Sequence, residues 1–182
     1  MLYENAMKLS FQIQSQEHLV RGGKLVNGKA RILIVDDDES IRKVIATILE
    51  EEGYNVESVE TAKKGIEKSE SSFYNLALID IHLPDMEGIE LLAKMHETKP
   101  RMRKIIITGY PTLENAVAAV NKGADAYILK PFDVEKILAT IRDQLQKQNE
   151  ERRYSQQKVA EFIETRVKEL ETINQQAVKK SF

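Results

Sequence analysis

No cysteine occurs among the 182 residues, which excludes disulfides and thiolate metal sites and fits a reducing compartment. No stretch approaches the roughly 18 consecutive apolar residues of a membrane span. The N-terminus also lacks the basic start and unbroken apolar run of a signal peptide, because Glu4, Asn5, Lys8, Gln12 and Gln14 interrupt it. A cytoplasmic location with no membrane partner is the expectation. An excess of one charge is missing too. The formal net charge is −2, so no global basic field points to nucleic acid. Internal repeats are absent. What remains is a globular composition, 42% hydrophobic and 31% charged, long enough to bury a real core.

Three regions follow from the patterning. Residues 1–30 carry Leu2, Ala6, Leu9, Ile13 and Val20 at loosely helical spacing, and the stretch stops at Gly22-Gly23. It reads either as a leader or as a helix that packs on a partner. Across residues 31–147 strand-length segments recur at Ile32–Val35, Asn55–Val59, Leu76–Ile79, Ile105–Ile107 and Ala126–Leu129. Four are continuous apolar runs, as strands covered on both faces require, whereas Asn55–Val59 alternates and belongs nearer a sheet edge.

Helical stripes alternate with these strands. Ile41, Val44, Ile45, Ile48 and Leu49 form the first, ended by Gly53, and Ala62, Ile66 and Phe73 suggest the second. Ile89, Leu92, Ala93 and Met95 form the third, and Leu113, Ala116, Val117 and Val120 the fourth. Val134, Ile137, Leu138, Ile141 and Leu145 form the fifth. Five strand–helix alternations imply an α/β fold with a parallel sheet and right-handed crossovers.

Residues 148–182 form the third region. Gln146 to Lys158 is almost wholly polar but holds no glycine or proline, so it reads as a solvated continuation of the fifth helix or as a linker. Apolar spacing then resumes. Ile163, Leu170 and Ala177 take heptad a positions, and Val159, Arg166, Ile173 and Lys180 take d, flanked by Phe162 and Val167. A short, imperfect coiled coil fits this pattern, with a homodimer or a helical protein as partner; a lone amphipathic helix is the alternative. Only 37 residues follow Leu145, and no glycine-containing turn splits them. A DNA-binding helix-turn-helix is not expected there.

Chemistry collects where the strands of such a sheet end. The first strand runs into Asp36-Asp37-Asp38, the third into Asp80, the fourth into Thr108-Gly109 and the fifth into Lys130-Pro131. Asp36, Asp37 and Asp80 in one small space would repel each other unless a hard cation sat among them. Carboxylate and carbonyl oxygens suit Mg²⁺ or Mn²⁺. A carboxylate is also a competent nucleophile towards a phosphoryl group that a metal has polarised. Lys130 supplies a positive charge for phosphoryl oxygens, Thr108 a hydroxyl donor, and Gly109 space. Asp38 and Glu39 read as caps of the first helix.

These segments resemble the response regulator receiver family of two-component signalling, of the chemotaxis-regulator type. The likeness rests on Ile32 to Asp37, Asp80 to Gly88, Ile105 to Gly109 and Gly123 to Phe132, and covers about two-thirds of the chain. The resemblance implies a flavodoxin-like (βα)5 fold and a phosphoryl group accepted on Asp80 from a histidine kinase. It implies a metal held by Asp37, Asp80 and the backbone carbonyl of His82, with Asp36 acting through a water. Lys130 would pair with the phosphoryl group, and its bond to Pro131 would be cis. Thr108 and Tyr127 would move together on phosphorylation and change the face made by the fourth helix, fifth strand and fifth helix. His82 and Tyr110 stand at variable positions beside the route of attacking water, where bulk should slow hydrolysis.

Two other classes compete. A receiver-like binding module would not need the intact set of Asp80, Thr108 and Lys130. A phosphatase of the haloacid dehalogenase type wants its nucleophile on the first strand with a second acid two residues on, where His82 stands here. The expected protein is therefore a phosphoacceptor that catalyses its own phosphorylation and dephosphorylation, not an enzyme with an external product.

Overall fold

A computed structural model describes residues 30–179, with side chains to residue 170. The amphipathic stretch expected before residue 30 lies outside the described residues, as do Lys180 and the side chains of Ile173 and Ala177. The elements are β1 (Arg31–Val35), α1 (Glu39–Glu51), β2 (Asn55–Val59), α2 (Ala62–Ser71) and β3 (Leu76–Asp80), followed by α3 (Gly88–Lys94), β4 (Arg103–Thr108), α4 (Leu113–Asn121), β5 (Ala126–Leu129) and α5 (Val134–Lys179). The five strands form one sheet in the order β2-β1-β3-β4-β5. Every pairing is parallel. This is the flavodoxin-like order, with its topological switch between β1 and β3.

Alternation along the strands divides the core into two layers. Ile32, Ile34, Leu76, Leu78, Ile105 and Ile107 face one way, against Ile45 and Leu49 of α1 and Ile137, Leu138 and Ile141 of α5. Leu33, Val35, Ala77, Ile79 and Ile106 face the other, against Ala62 of α2, Leu91 and Leu92 of α3 and Ala119 of α4. β2 is an edge strand, as its alternation implies. Asp38 caps α1, its carboxylate accepting from the N–H groups of Ser40 and Ile41 at 2.8 and 3.1 Å. Gly53 then takes a φ of 90°, which ends the helix without Cβ strain.

Several apolar residues of the helical stripes lie outside the core. On α4, Leu113, Val117 and Val120 are 83%, 51% and 68% exposed, and the buried contact is Ala119. Small side chains bring this helix close to the sheet and leave the branched ones outside. Val44 and Phe73 are likewise exposed, and Phe73 falls beyond the end of α2. In α3 the buried pair is Leu91 and Leu92, and Ala93 faces solvent.

Gln146 to Lys158 is helix throughout, which settles the choice between rod and linker. The described residues up to Asn149 belong to one compact unit, and those from Glu150 onward fall in a second. Near the end of the first unit Gln148 is buried. Its amide donates to the carbonyls of Asn75 and Arg101 at 2.9 and 2.7 Å and accepts from the Asn75 amide at 3.2 Å. Asn75 in turn accepts from the N–H of Arg31 at 2.9 Å. The polar run thus pins α5 to the starts of β1, β3 and β4. Gln148→Ala removes the partner of the Arg101 carbonyl and of the Asn75 side-chain amide, while the Asn75 carbonyl keeps the N–H of Arg103 at 2.9 Å. It should cost about 1–3 kcal/mol, read as a lower urea midpoint with an unchanged m-value.

Candidate functional site

Register brings the C-terminal ends of β1, β3, β4 and β5 level. Val35 pairs with Ile79, Asp80 with Ile107, and Thr108 with Leu129. Asp36 and Asp80 are buried and Asp37 is exposed, and one carboxylate oxygen from each lies within 4.8 Å of the others. Lys130 joins the cluster from the end of β5. Its ammonium donates to Asp36 Oδ2 at 2.7 Å and also to Asp80 Oδ2. The Lys130-Pro131 peptide is cis.

The remaining oxygens are held by the backbone. Asp36 Oδ1 accepts from the N–H of Asp38 at 2.9 Å, and Asp80 Oδ1 from the N–H of His82 at 3.2 Å. Arg42 of α1 donates to the Asp36 carbonyl at 2.6 Å. Burial pushes the Asp36 carboxyl above its ordinary pKa, and the opposing bond from Lys130 does not fully offset it. Burial alone would lower Lys130, but its bonds to Asp36 and Asp80 outweigh that and raise it. Three carboxylates around one ammonium leave negative charge in excess. That donor set fits a hard divalent cation.

Thr108 is fully buried at the end of β4, and its hydroxyl accepts from the N–H of Tyr110 at 3.1 Å. Tyr127 packs on the α2–α4 face of the core, where burial raises its phenol pKa. Its buried hydroxyl has no partner among the described residues. The His82 ring is exposed, 3.6 Å from Glu87 and edge-on to Tyr110 with centroids 5.8 Å apart. Gly109 faces open space, because a Cβ there would meet only Lys130 Cβ at 3.8 Å.

Sequence reasoning missed how closely Gly88 is packed. A Cβ on it would lie 1.9 Å from the Asp80 carbonyl oxygen. Arg42 and Asp85 escaped notice as well, because each acts on a distant backbone group that spacing does not reveal.

A lysine clasping two buried acids at the switch point of a parallel five-stranded sheet is the architecture of a receiver module. The response regulator receiver domain family matches residues 32–142, and the chain belongs to that family, carrying the receiver domain of a two-component response regulator. It is 39% identical over 118 residues to the response regulator ArlR of Staphylococcus saprophyticus, covering 65% of this chain and 53% of that protein. It is 35% identical over 119 residues to the transcriptional regulatory protein BasR of Escherichia coli, covering 65% and 54%. The chain spans about half the length of these curated relatives. Among solved structures, a CheY-like receiver domain from Methanospirillum hungatei JF-1 is 52% identical with a TM-score of 0.66, covering 68% of this chain and 99% of that one. A response regulator from Burkholderia pseudomallei, solved with a phosphorylated aspartic acid, a calcium ion and citrate, is 30% identical with a TM-score of 0.60, covering 68% and 72%. No helix among the described residues is long and apolar enough to cross a membrane.

Proposed function

We propose that this chain is a phosphorelay response regulator that accepts a phosphoryl group on Asp80 from a histidine kinase. The observation that carries the reading is the contact of one ammonium, Lys130, with the carboxylates of both Asp36 and Asp80, beside Asp37. A carboxylate oxygen of Asp80 forms the new P–O bond as the P–N bond of the donor breaks, and the leaving nitrogen regains a proton from solvent. Asp36, Asp37, Asp80 and the His82 carbonyl would hold Mg²⁺ or Mn²⁺. When bound, the ion withdraws charge from the phosphoryl oxygens. Lys130 then turns its ammonium to those oxygens, and the Thr108 hydroxyl donates to them. Tyr127, whose hydroxyl is unpaired, moves with Thr108. The protein acts on itself and releases no external product beyond phosphate.

The output we propose is protein–protein contact or dimerisation in the cytoplasm, without DNA binding by this stretch. On α5, Val159, Phe162, Ile163 and Leu170 are exposed. Neighbouring charges pair within the helix, as in Lys158–Glu161, Lys168–Glu164 and Arg166–Glu169. An apolar stripe beside self-paired charges suits a second helix, from another copy or a helical partner. Acetyl phosphate with Mg²⁺ should add one phosphoryl mass to the wild type and none to Asp80→Asn, with light scattering reporting oligomeric state on the same samples. An Asp80→Asn protein that still gains the mass sinks the reading.

The His82–Tyr110 ring pair flanks the approach of hydrolytic water. Making both alanine should shorten the phosphoprotein's lifetime about tenfold, which corresponds to ~1.4 kcal/mol of barrier. An unchanged half-life removes that role.

A further inference from the structure

The loop between β3 and α3 is fastened at both ends of its span. At its neck the N–H of Gly88 donates to the Ile81 carbonyl at 2.6 Å, and His82 and Glu87 form an antiparallel bridge. At its tip stands Asp85, whose side chain crosses to another element. One carboxylate oxygen accepts from the N–H of Ala62 at 2.9 Å, and the other from the N–H of Lys63 at 2.8 Å. These are first-turn donors of α2, which have no partner inside their own helix. Thr61, the helix's own cap, serves a different donor, the N–H of Lys64. The Asp85 carboxyl lies below its ordinary pKa, chiefly through the bond from Lys63, as expected of a carboxylate held in a fork.

The same loop sets the attitude of Asp80. Lys130 engages one carboxylate oxygen, and the N–H of His82 engages the other at 3.2 Å. The plane of the Asp80 carboxylate is therefore defined by one side chain and one loop amide. Leu83 and Met86 are only half-buried, and His82, Pro84, Asp85 and Glu87 are exposed. Apolar packing by itself anchors this tip weakly.

We propose that Asp85 is a positioning residue for the phosphoacceptor site, tying the His82 amide, and through it the Asp80 carboxylate, to the first turn of α2. The proposal rests on the reading of Asp80 as the phosphoacceptor. Groups that hydrogen-bond a metal ligand commonly change affinity by 10–100-fold when lost, and Asp85 acts one link further out through the loop, so Asp85→Ala should weaken Mg²⁺ binding by at most about tenfold. Asp85→Asn keeps an acceptor for one of the two N–H groups and should fall between. The test is a Mg²⁺ titration of the full chain by calorimetry for wild type, Asp85→Asn and Asp85→Ala, with thermal melting and amide exchange recorded on each protein without metal. The expected result is faster exchange at His82, Ala62 and Lys63 in the order Ala, Asn, wild type, with Mg²⁺ affinity falling in step. A lower melting temperature with unchanged His82 exchange and unchanged Mg²⁺ affinity would mean a purely structural cap and overturns the proposal. Should Asp85→Ala fail to fold, Asp85→Asn alone decides by the same two readouts. If the wild type takes up neither Mg²⁺ nor a phosphoryl group, the Asp80 reading fails. His82 exchange in the metal-free variants still decides separately whether Asp85 holds the loop.

Discussion

Alanine at Gly88 is expected to cost about 3–5 kcal/mol of stability, from one added methyl group. The new Cβ would lie 1.9 Å from the Asp80 carbonyl oxygen, 2.9 Å from its carbonyl carbon and 3.0 Å from Ile81 Cα. All three are backbone atoms, so no rotamer change relieves the clash. Either the end of β3 or the start of α3 must move, which overpacks a site that is already closed. Gly88 is needed for space, since the described glycines with positive φ are Gly53 and Gly123. For a domain of this size the melting temperature should fall by about 12–20 °C. Phosphorylation should fall with it, because the displaced residue, Asp80, is the proposed phosphoacceptor. A Gly88→Ala protein that melts within a degree or two of wild type would show that the close approach relaxes cheaply.

Lys130→Met should be nearly as costly, for an electrostatic reason. The lysine side chain is 15% exposed and the side chains of Asp36 and Asp80 are 3% and 10% exposed. Removing it leaves two buried carboxylates facing each other without their cation, which typically costs about 3–5 kcal/mol. The loss should depend on pH. Lys130 is raised in the fold, so its contribution is fully present below its unfolded pKa and fades as pH rises through the higher folded value. Asp36 is also raised, so its ionisation works against folding, and acid that protonates it relieves the variant. The expected picture is a large deficit at neutral pH that shrinks in acid and, on the proposed reading of the acids as a Mg²⁺ site, is partly recovered by Mg²⁺. Denaturant unfolding at several pH values, with and without Mg²⁺, measures it. A deficit that is flat across pH would locate the lysine's role in packing instead.

Much of the architecture was legible before any coordinates. Continuous apolar runs marked β1, β3, β4 and β5 as buried on both sides, and the alternation in Asn55–Val59 marked β2 as an edge. The polar residues that end four strands could be read as one site, because a parallel sheet places all its strand ends on the same side. Asp38 was legible as a cap because capping is a contact between near neighbours. The α4 stripe misled, since spacing shows that Leu113, Val117 and Val120 share a face but not whether that face meets the sheet.

By itself the sequence determined what depends on short separations: the order and kind of the elements, the caps, and which acids, hydroxyl and amine stand at strand ends. Tertiary structure decided the rest. It set Lys130 between Asp36 and Asp80, Gln148 on the carbonyls of Asn75 and Arg101, Asp85 on the first turn of α2, and Gly88 against the backbone of Asp80. Those contacts join groups far apart along the chain or press backbone on backbone. Periodicity and motif spacing describe neighbours in sequence, whereas such pairings exist only once packing has fixed which surfaces meet.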